Sequence, residues 1–429
     1  MTPAEVAIRD AIAADGRITF RRFMEMALYS APGAYYNSKA ERIGAEGDYF
    51  TSPELHPVFA ALVARQLEQL WVAMGRPTEF TVVEMGAGRG SLARDLLSYT
   101  ATQTPDFHQA IAYIIVERSP SLLRRQQEAL RVLSSVATRV SWLEGPAVDL
   151  PEGSIEGCFL SNELLDAFPV HRVAVRGGKL YEVYVELRDG HLADAPGEIS
   201  DPRLADYFAR LGFLPPEGCI AEVNLDALDW TAQVAGALRR GAVLTFDYGY
   251  PAEELYSPRH CDGTLLCFYR HSISRDPYLR IGHQDITTHL DFTSLAREGI
   301  CHGLQPYPLT TQQSFLGVLG LRGYLRELGQ LGLPQQAYRA NWVAMQELLN
   351  PNGLGRVKLL VQQKGLEGFD PAGLRPDGLQ AGELGRDLSQ EPPPLLTAAH
   401  MPLTALSPSE PMVDVEGMWE ELMGEEERE

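Results

Sequence analysis

Two rhythms of apolar positions run through this chain. Short runs rich in β-branched and aromatic residues occur at the head of Thr81–Leu97 and over Ala112–Glu117, Val140–Leu143, Gly157–Ser161 and Gly241–Tyr248. Segments with helical spacing lie between and around them: Val58–Trp71, the stretch closing at Leu97, and an Arg/Gln/Leu-rich stretch after Ser119-Pro120. Strand and helix in alternation predict an α/β fold with a doubly wound parallel sheet. Val6, Ile8, Ile12, Phe20, Phe23, Met24 and Leu28 predict two short helices packed ahead of it. Val173–Leu187 alternates around Gly177-Gly178 and reads as a hairpin that decorates the sheet. Residues 188–240 read as helical and irregular. Gln312–Leu319, Tyr324–Leu331 and Ala340–Leu349 read as helices, and Arg356–Gln362 as a closing strand.

The turn after the first run, Glu84-Met85-Gly86-Ala87-Gly88-Arg89-Gly90, is the centre of the pattern. Closely spaced glycines let a ligand approach the main chain. A dinucleotide fingerprint requires its third glycine one residue later, where Ser91 stands, so the spacing excludes NAD. It fits the acidic-x-Gly-x-Gly-x-Gly pattern of class I S-adenosyl-L-methionine methyltransferases, whose fold is Rossmann-like. Glu84 is then placed to meet the cationic amino-acid end of that cofactor, with Gly86, Ala87, Gly88 and Gly90 as its cradle. Glu117 ends the second run 27 residues beyond Gly90, where an acid accepts the two ribose hydroxyls.

Three further stretches carry candidate chemistry. Thr51-Ser52-Pro53-Glu54 reads either as a helix cap, with Ser52 accepting a free N–H, or as a wall of the site. Asn162-Glu163-Leu164-Leu165-Asp166 follows the fourth run, so Asn162, Glu163 and Asp166 face the reacting group of a cofactor bound at the strand ends. Gly263–Leu295 is unusually polar and aromatic and reads as a site-lining loop; His271, His283, Asp285, His289 and Asp291 are its candidates, although Asp291 also suits the start of a helix.

Composition narrows the function classes. With 429 residues and 45% hydrophobic content the chain can bury a large core, and no window approaches the ~20 apolar residues of a membrane helix. No basic-then-apolar leader is visible, which predicts a cytoplasmic protein without membrane insertion. The five cysteines are scattered, without a Cys-x-x-Cys pair, and are read as buried free thiols; no metal site is signalled. Of the net charge of −20, residues 366–429 supply 12, with 15 acidic and 3 basic residues. No basic patch remains for nucleic acid, so a protein or small-molecule substrate is expected. The acidic, Pro-rich stretch 366–429 is read as mostly disordered, save for Val415, Met418, Trp419, Leu422 and Met423 at helical spacing. The resulting division is an N-terminal helical segment and site loop (1–78), a methyltransferase core (79–250), a C-terminal site loop, helices and closing strand (251–365), and the tail (366–429).

An ordered set of motifs resembles the MidA-like methyltransferases, the family of the mitochondrial complex I assembly factor that methylates an arginine. They are Gly33-Ala34-Tyr35-Tyr36, the stretch Gly47 to Glu54, the glycine turn, Asn162–Asp166 with Pro169-Val170-His171, Asp247-Tyr248-Gly249, Gly263-Thr264-Leu265 with Tyr269-Arg270-His271, Asp285-Ile286-Thr287 with Asp291-Phe292-Thr293, and Gln313 with Phe315-Leu316. The resemblance implies a class I fold with added helical segments, S-adenosyl-L-methionine as cofactor, and methyl transfer to a side-chain nitrogen of a protein, most plausibly an arginine of a respiratory complex I subunit. It makes Thr51, Ser52 and Pro53 cofactor-site residues and Asp285, Asp291 and His271 substrate-site residues. Glu163 and Asp166, with Asn162, become the groups that hold a guanidinium. A non-catalytic assembly chaperone and a small-molecule methyltransferase are the alternatives. Leu354-Gly355-Arg356 stands where the family tends to have Met-Gly-Glu, and the acidic tail is a second departure.

Overall fold

The computed structural model describes residues 1–37, 47–48, 50–131, 139–145, 150–380, 382–386, 388 and 391–400. Five parallel strands form the middle of its largest sheet, in the spatial order Leu238–Asp247, Ile155–Asn162, Phe80–Met85, Ile111–Glu117, Val140–Glu144. Lys358–Lys364 closes the sheet antiparallel to Leu238–Asp247. Phe80–Met85 is buried at every position, which is why it reads as a continuous apolar run and not as an alternation. It lies between the fourth strand, Ile155–Asn162, and the second, Ile111–Glu117. The connections leaving those neighbours wind in opposite directions, so a crevice opens at the carboxyl ends of Phe80–Met85 and Ile155–Asn162. Two apolar clusters cover the two faces, one containing Val58–Ala73 and Ser91–Gln103, the other Leu225–Ala237 and Phe292–Cys301.

The hairpin around Gly177-Gly178 forms, as His171–Arg176 and Lys179–Arg188. It belongs to a separate antiparallel sheet with Ile18–Thr19, Ile220–Val223 and His191–Gly197. The last two strands lie inside the region expected to be helical and irregular; each is short, and no long alternating run announces it. Gly263–Leu295 is less of a loop than expected: Leu266–Tyr269, Ser272–Ser274 and Asp285–Thr287 make a small antiparallel sheet. Cys219 and Cys261 are disulfide-bonded, which corrects the expectation of free thiols throughout; Cys158 and Cys267 are free and buried. Spacing alone does not reveal a pair 42 residues apart.

The tail also differs from expectation. Helix Val58–Ala73 is buried on nearly all sides, including Arg65, Gln66, Glu68 and Gln69. Buried polar groups need partners, and these come from the segment that follows the closing strand. Ala372 and Gly373 donate their N–H groups to Gln69 Oε1 (2.9 Å) and Gln66 Oε1 (2.8 Å). Arg65 pairs with Glu391 at 2.9 Å, and Arg386 with Glu68 at 2.7 Å. His400 reaches Asp95 on Ser91–Gln103 at 2.9 Å. The described residues from 366 to 400 are therefore a strap on the core, held by polar contacts that apolar content does not forecast. The amphipathic spacing at Val415–Met423 lies outside the described residues.

Arg65 and Glu391 are 4% and 6% exposed at their side chains. Glu391→Ala is expected to cost about 3 kcal/mol, because it leaves a buried guanidinium without its counter-charge, whereas the double variant Arg65→Met/Glu391→Leu is expected to cost less than half of that. Denaturant unfolding of both measures it, and equal costs would contradict a buried ion pair.

Candidate active site

The crevice at the strand ends is a cavity of about 390 Å³, within the ordinary size range of small-molecule sites. Gly86 forms part of its floor at φ 69°, a conformation that strains any side chain, and a Cβ there would lie 2.5 Å from Leu164 Cδ1, so Leu164 would also have to move. Ala87 and Gly88 continue the floor. Gly90, also a cradle candidate, starts the helix Ser91–Gln103 and faces Gln126 without lining the cavity. Its role is to let the chain turn into that helix, whose N-terminal end adds positive potential at the site.

Glu84 lines the cavity and accepts a hydrogen bond from Tyr113 Oη at 2.7 Å. Burial pushes its carboxyl up to about 7, with the nearby Glu117 adding to the rise and Tyr113 opposing it. Glu117 sits at the end of the next strand, 5% exposed, and accepts from Ser119 N (2.8 Å) and Gln126 Nε2 (2.9 Å). Gln126 Nε2 also reaches the Gly88 carbonyl at 3.0 Å, so one amide ties the two cofactor-facing elements together. Burial raises Glu117 as well. Thr51 and Pro53 line the cavity, and Glu54 beside them accepts from Ser91 Oγ at 2.8 Å. Ser52 does not line it: its hydroxyl donates to Gln312 Oε1 at 2.9 Å, which binds the turn Ser52–Leu55 to the C-terminal helices. The cap reading of Ser52 fails too, since its side chain accepts no helical N–H and a second helix starts at Val58.

Asn162, Glu163 and Asp166 surround the other end. Asn162 Nδ2 donates to Glu163 Oε1 at 3.1 Å, and Asn162 Oδ1 is enclosed with no partner among the described residues. Glu163 adopts φ 49°, a left-handed conformation that a side chain takes only when its surroundings impose it. The imposing group is Asp247, at the end of the fifth strand. Its Oδ2 accepts N–H bonds from Leu164 (3.2 Å), Leu165 (2.9 Å) and Asp166 (3.4 Å), and its Oδ1 one from Tyr248 (2.8 Å). Burial lifts Asp247 to about 7 against those four bonds. Glu163 is pushed up to about 8, by burial first and by Asp247 second; it is partly open toward the cavity, so the rise weakens wherever water enters. Burial, Asp247, Glu163 and Asp285 all drive Asp166 upward.

Asp166 does not face the large cavity. It lines a second one of about 120 Å³, which shares Tyr36 and Glu163 with the first. Asp285 and His271 line this second cavity, and Tyr36 Oη donates to Asp285 at 2.9–3.0 Å. Asp291 lines neither. It caps Phe292–Cys301 through Thr293 N and Ser294 N and accepts from Tyr207 Oη at 2.7 Å, so its place among the substrate residues is corrected to that of a helix start. Tyr36, Trp230 and Tyr248 are wall residues that sequence reasoning left without a role, Gln126 stands behind the wall on Glu117 and the Gly88 carbonyl, and Asp247 was read only as a strand end and a motif residue. For Asp247 a signal existed, an acid at the end of the strand next to the Asn162 loop; for Trp230 none did, because it reaches the site from the middle of a helix, and none marked Gln126 as the support of Glu117.

An acid-edged cradle with Gly86 and Gly88, a carboxylate at the next strand end, and an enclosed oxygen of Asn162 without a partner among the described residues together fit a nucleoside with a cationic amino-acid tail. A family model described as S-adenosyl-L-methionine-dependent methyltransferase matches residues 62–310. The mouse protein arginine methyltransferase NDUFAF7, mitochondrial, is 27% identical over 380 residues, covering 80% of each chain. The Drosophila melanogaster homologue of that enzyme is 28% identical over 307 residues, with 66% of this chain and 67% of its own covered. A superfamily member from Burkholderia thailandensis, crystallised with S-adenosyl-homocysteine, aligns with a TM-score of 0.76 at 32% identity, over 87% of this chain and 94% of that one.

Two outcomes test the site. Glu117→Ala is expected to weaken S-adenosylhomocysteine binding by about 1–3 kcal/mol, and Gly86→Val to abolish it; calorimetry giving wild-type affinity for both would contradict the placement. The second concerns pH. Glu163 binds its proton more tightly folded than unfolded, so its contribution is neutral below its ordinary value near 4.5 and costs stability as pH climbs toward about 8. Glu163→Gln is therefore expected to melt higher than wild type by a margin that widens from pH 5 to pH 8, at up to about 1.4 kcal/mol per pH unit. A margin that is flat or shrinks over that range would contradict it.

Proposed function

Because this chain belongs to the MidA-like family of S-adenosyl-L-methionine-dependent methyltransferases, we propose that it methylates an arginine side chain of a protein. The observation that carries this reading is Glu163, a carboxylate in the wall common to both cavities and backed by Asp166 and Asp247. When bound, S-adenosylmethionine supplies an electrophilic methyl group on a sulfonium. The residues present do the rest. Glu84, Gly86, Gly88 and Glu117 hold the cofactor, and the Asn162–Asp166 loop holds the nucleophile. A guanidinium is cationic and planar, and two carboxylates grip it as a fork, which orients one nitrogen and offsets its charge. Methylation would make that nitrogen more acidic, and Glu163 would accept its proton. Most of the required work is alignment and electrostatics, and a rigid loop pinned by Asp247 suits both.

The names of the curated relatives support arginine as the acceptor, and the resemblance in sequence makes a respiratory complex I subunit the first partner to try. Single-turnover transfer of labelled methyl to such a subunit, or to arginine proteins of a host lysate, is the test. Wild type is expected to label arginine. Glu163→Gln is expected to keep S-adenosylhomocysteine affinity within a few-fold while transfer falls roughly 10²-fold or more. Label on lysine or on a small molecule only, no label at all, or an unimpaired variant would overturn the reading.

A further inference from the structure

The second cavity is a separate chamber. It is bounded by the small sheet Leu266–Tyr269, Ser272–Ser274, Asp285–Thr287, by Tyr248, and by the segment from Asn352 to Arg356. Among the described residues it shares only Tyr36 and Glu163 with the cofactor cavity, and its exposed lining residues are His271 and Asn352. At about 120 Å³ it is close to a cavity that admits benzene, so it takes one side chain and not a cofactor. Rings and carboxylates stand out in its walls. Phe50, Tyr248 and Phe268 present rings, and Glu163, Asp166 and Asp285 present carboxylates; Asp48 and Glu347 also line it, each accepting a backbone N–H. Asp166 is 6% exposed, and no basic side chain among the described residues forms an ion pair with it. A buried carboxylate in that position stays protonated or waits for a cation.

We propose that this cavity is the binding site of the target side chain, which enters by a mouth of its own beside His271 and Asn352 and brings a guanidinium on an unbranched stem to Glu163. The stem lies against the rings, which also favour a cation over their faces. An anion is repelled by these carboxylates, and an apolar side chain leaves Asp166 buried without a counter-charge. An ammonium satisfies the charge but not the two-pronged geometry. Arg356 and Glu347 both line the cavity on its C-terminal side, where Glu347 accepts from Leu354 N at 3.1 Å, whereas Glu163 and Asp166 belong to the loop after the fourth strand; Glu163 is the acid shared with the cofactor cavity. The chemical class of the occupant rests on the arginine reading above; the separate mouth does not.

The experiment uses full-length protein saturated with S-adenosylhomocysteine and a capped Gly-Arg-Gly peptide as probe, with citrulline and lysine counterparts. Wild type is expected to bind the arginine peptide at least tenfold more tightly than either counterpart. Ile273→Trp and Thr287→Trp fill the cavity without touching the cofactor walls, so each is expected to weaken peptide binding at least tenfold while S-adenosylhomocysteine affinity stays within twofold. Phe268→Ala removes one ring and covers the case of a filled variant that misfolds; it is expected to weaken the arginine peptide with the same unchanged cofactor affinity. Absence of peptide binding by wild type, wild-type peptide binding in these variants, or parallel loss of peptide and cofactor overturns the proposal. Methyl transfer that survives both filled variants overturns the cavity assignment and leaves the arginine reading standing. Peptide binding lost in the variants, with no transfer by wild type, does the reverse.

Discussion

Asp247 ends its strand with both carboxylate oxygens occupied by backbone N–H groups, three of them from the loop that follows the neighbouring strand. Those bonds turn Leu164, Leu165 and Asp166 around one acceptor, force Glu163 into its left-handed conformation, and leave its carboxylate in the seam between two cavities. The arrangement is expensive: Glu163, Asp166, Asp247 and Asp285 gather in one buried region, where burial raises the first three and Asp247 raises Glu163 and Asp166 further. A folded protein tolerates such a cluster where a cation is part of its working state. That is why the acids, and not the glycines, carry the argument about the acceptor.

The remaining additions to the sheet serve that seam. The N-terminal helices reach over the cofactor cavity, where Tyr29 donates to the Ala167 carbonyl at 2.9 Å and stacks on Tyr36 with ring centroids 5.2 Å apart. Arg21 forks onto Asp226 at 2.8–2.9 Å, and Arg118 pairs with Glu25 at 2.9 Å, so this roof is fastened to two separate elements of the core. Ser119 Oγ donates to the Tyr36 carbonyl at 2.8 Å, next to the bond from Ser119 N to Glu117. The cofactor wall and the wall of the second cavity are thus parts of one hydrogen-bonded unit.

Legibility in the sequence followed the physics of each residue. The sheet was readable because its strands are buried on both faces and therefore apolar without interruption, and Glu84, Gly86, Gly88 and Glu117 were readable because they sit at strand ends. Asn162 and Glu163 followed by the same rule. Nearness in number does not turn a side chain toward a cavity: Ser52 meets Glu163 through its backbone while its hydroxyl goes to Gln312, Gly90 faces Gln126, and Asp291 caps its own helix and accepts from Tyr207. The order of the described residues between 366 and 400 was not legible because their anchorage is polar: Glu391, Arg386 and His400 find buried partners 326, 318 and 305 residues away, a relation no local pattern contains. The two-chamber division was invisible for a similar reason, since its walls come from five distant segments.

The central claim is that cofactor and target nitrogen meet across Glu163. A compound that joins the adenosyl group to a guanidinium through a short alkyl linker measures this directly, since one ligand must then occupy both cavities. The account predicts calorimetric binding at least 10²-fold tighter than S-adenosylhomocysteine, as expected when a second contact is made intramolecular, with the gain lost in Glu163→Gln. Affinity equal to that of S-adenosylhomocysteine, or a gain that persists without the carboxylate, would contradict it.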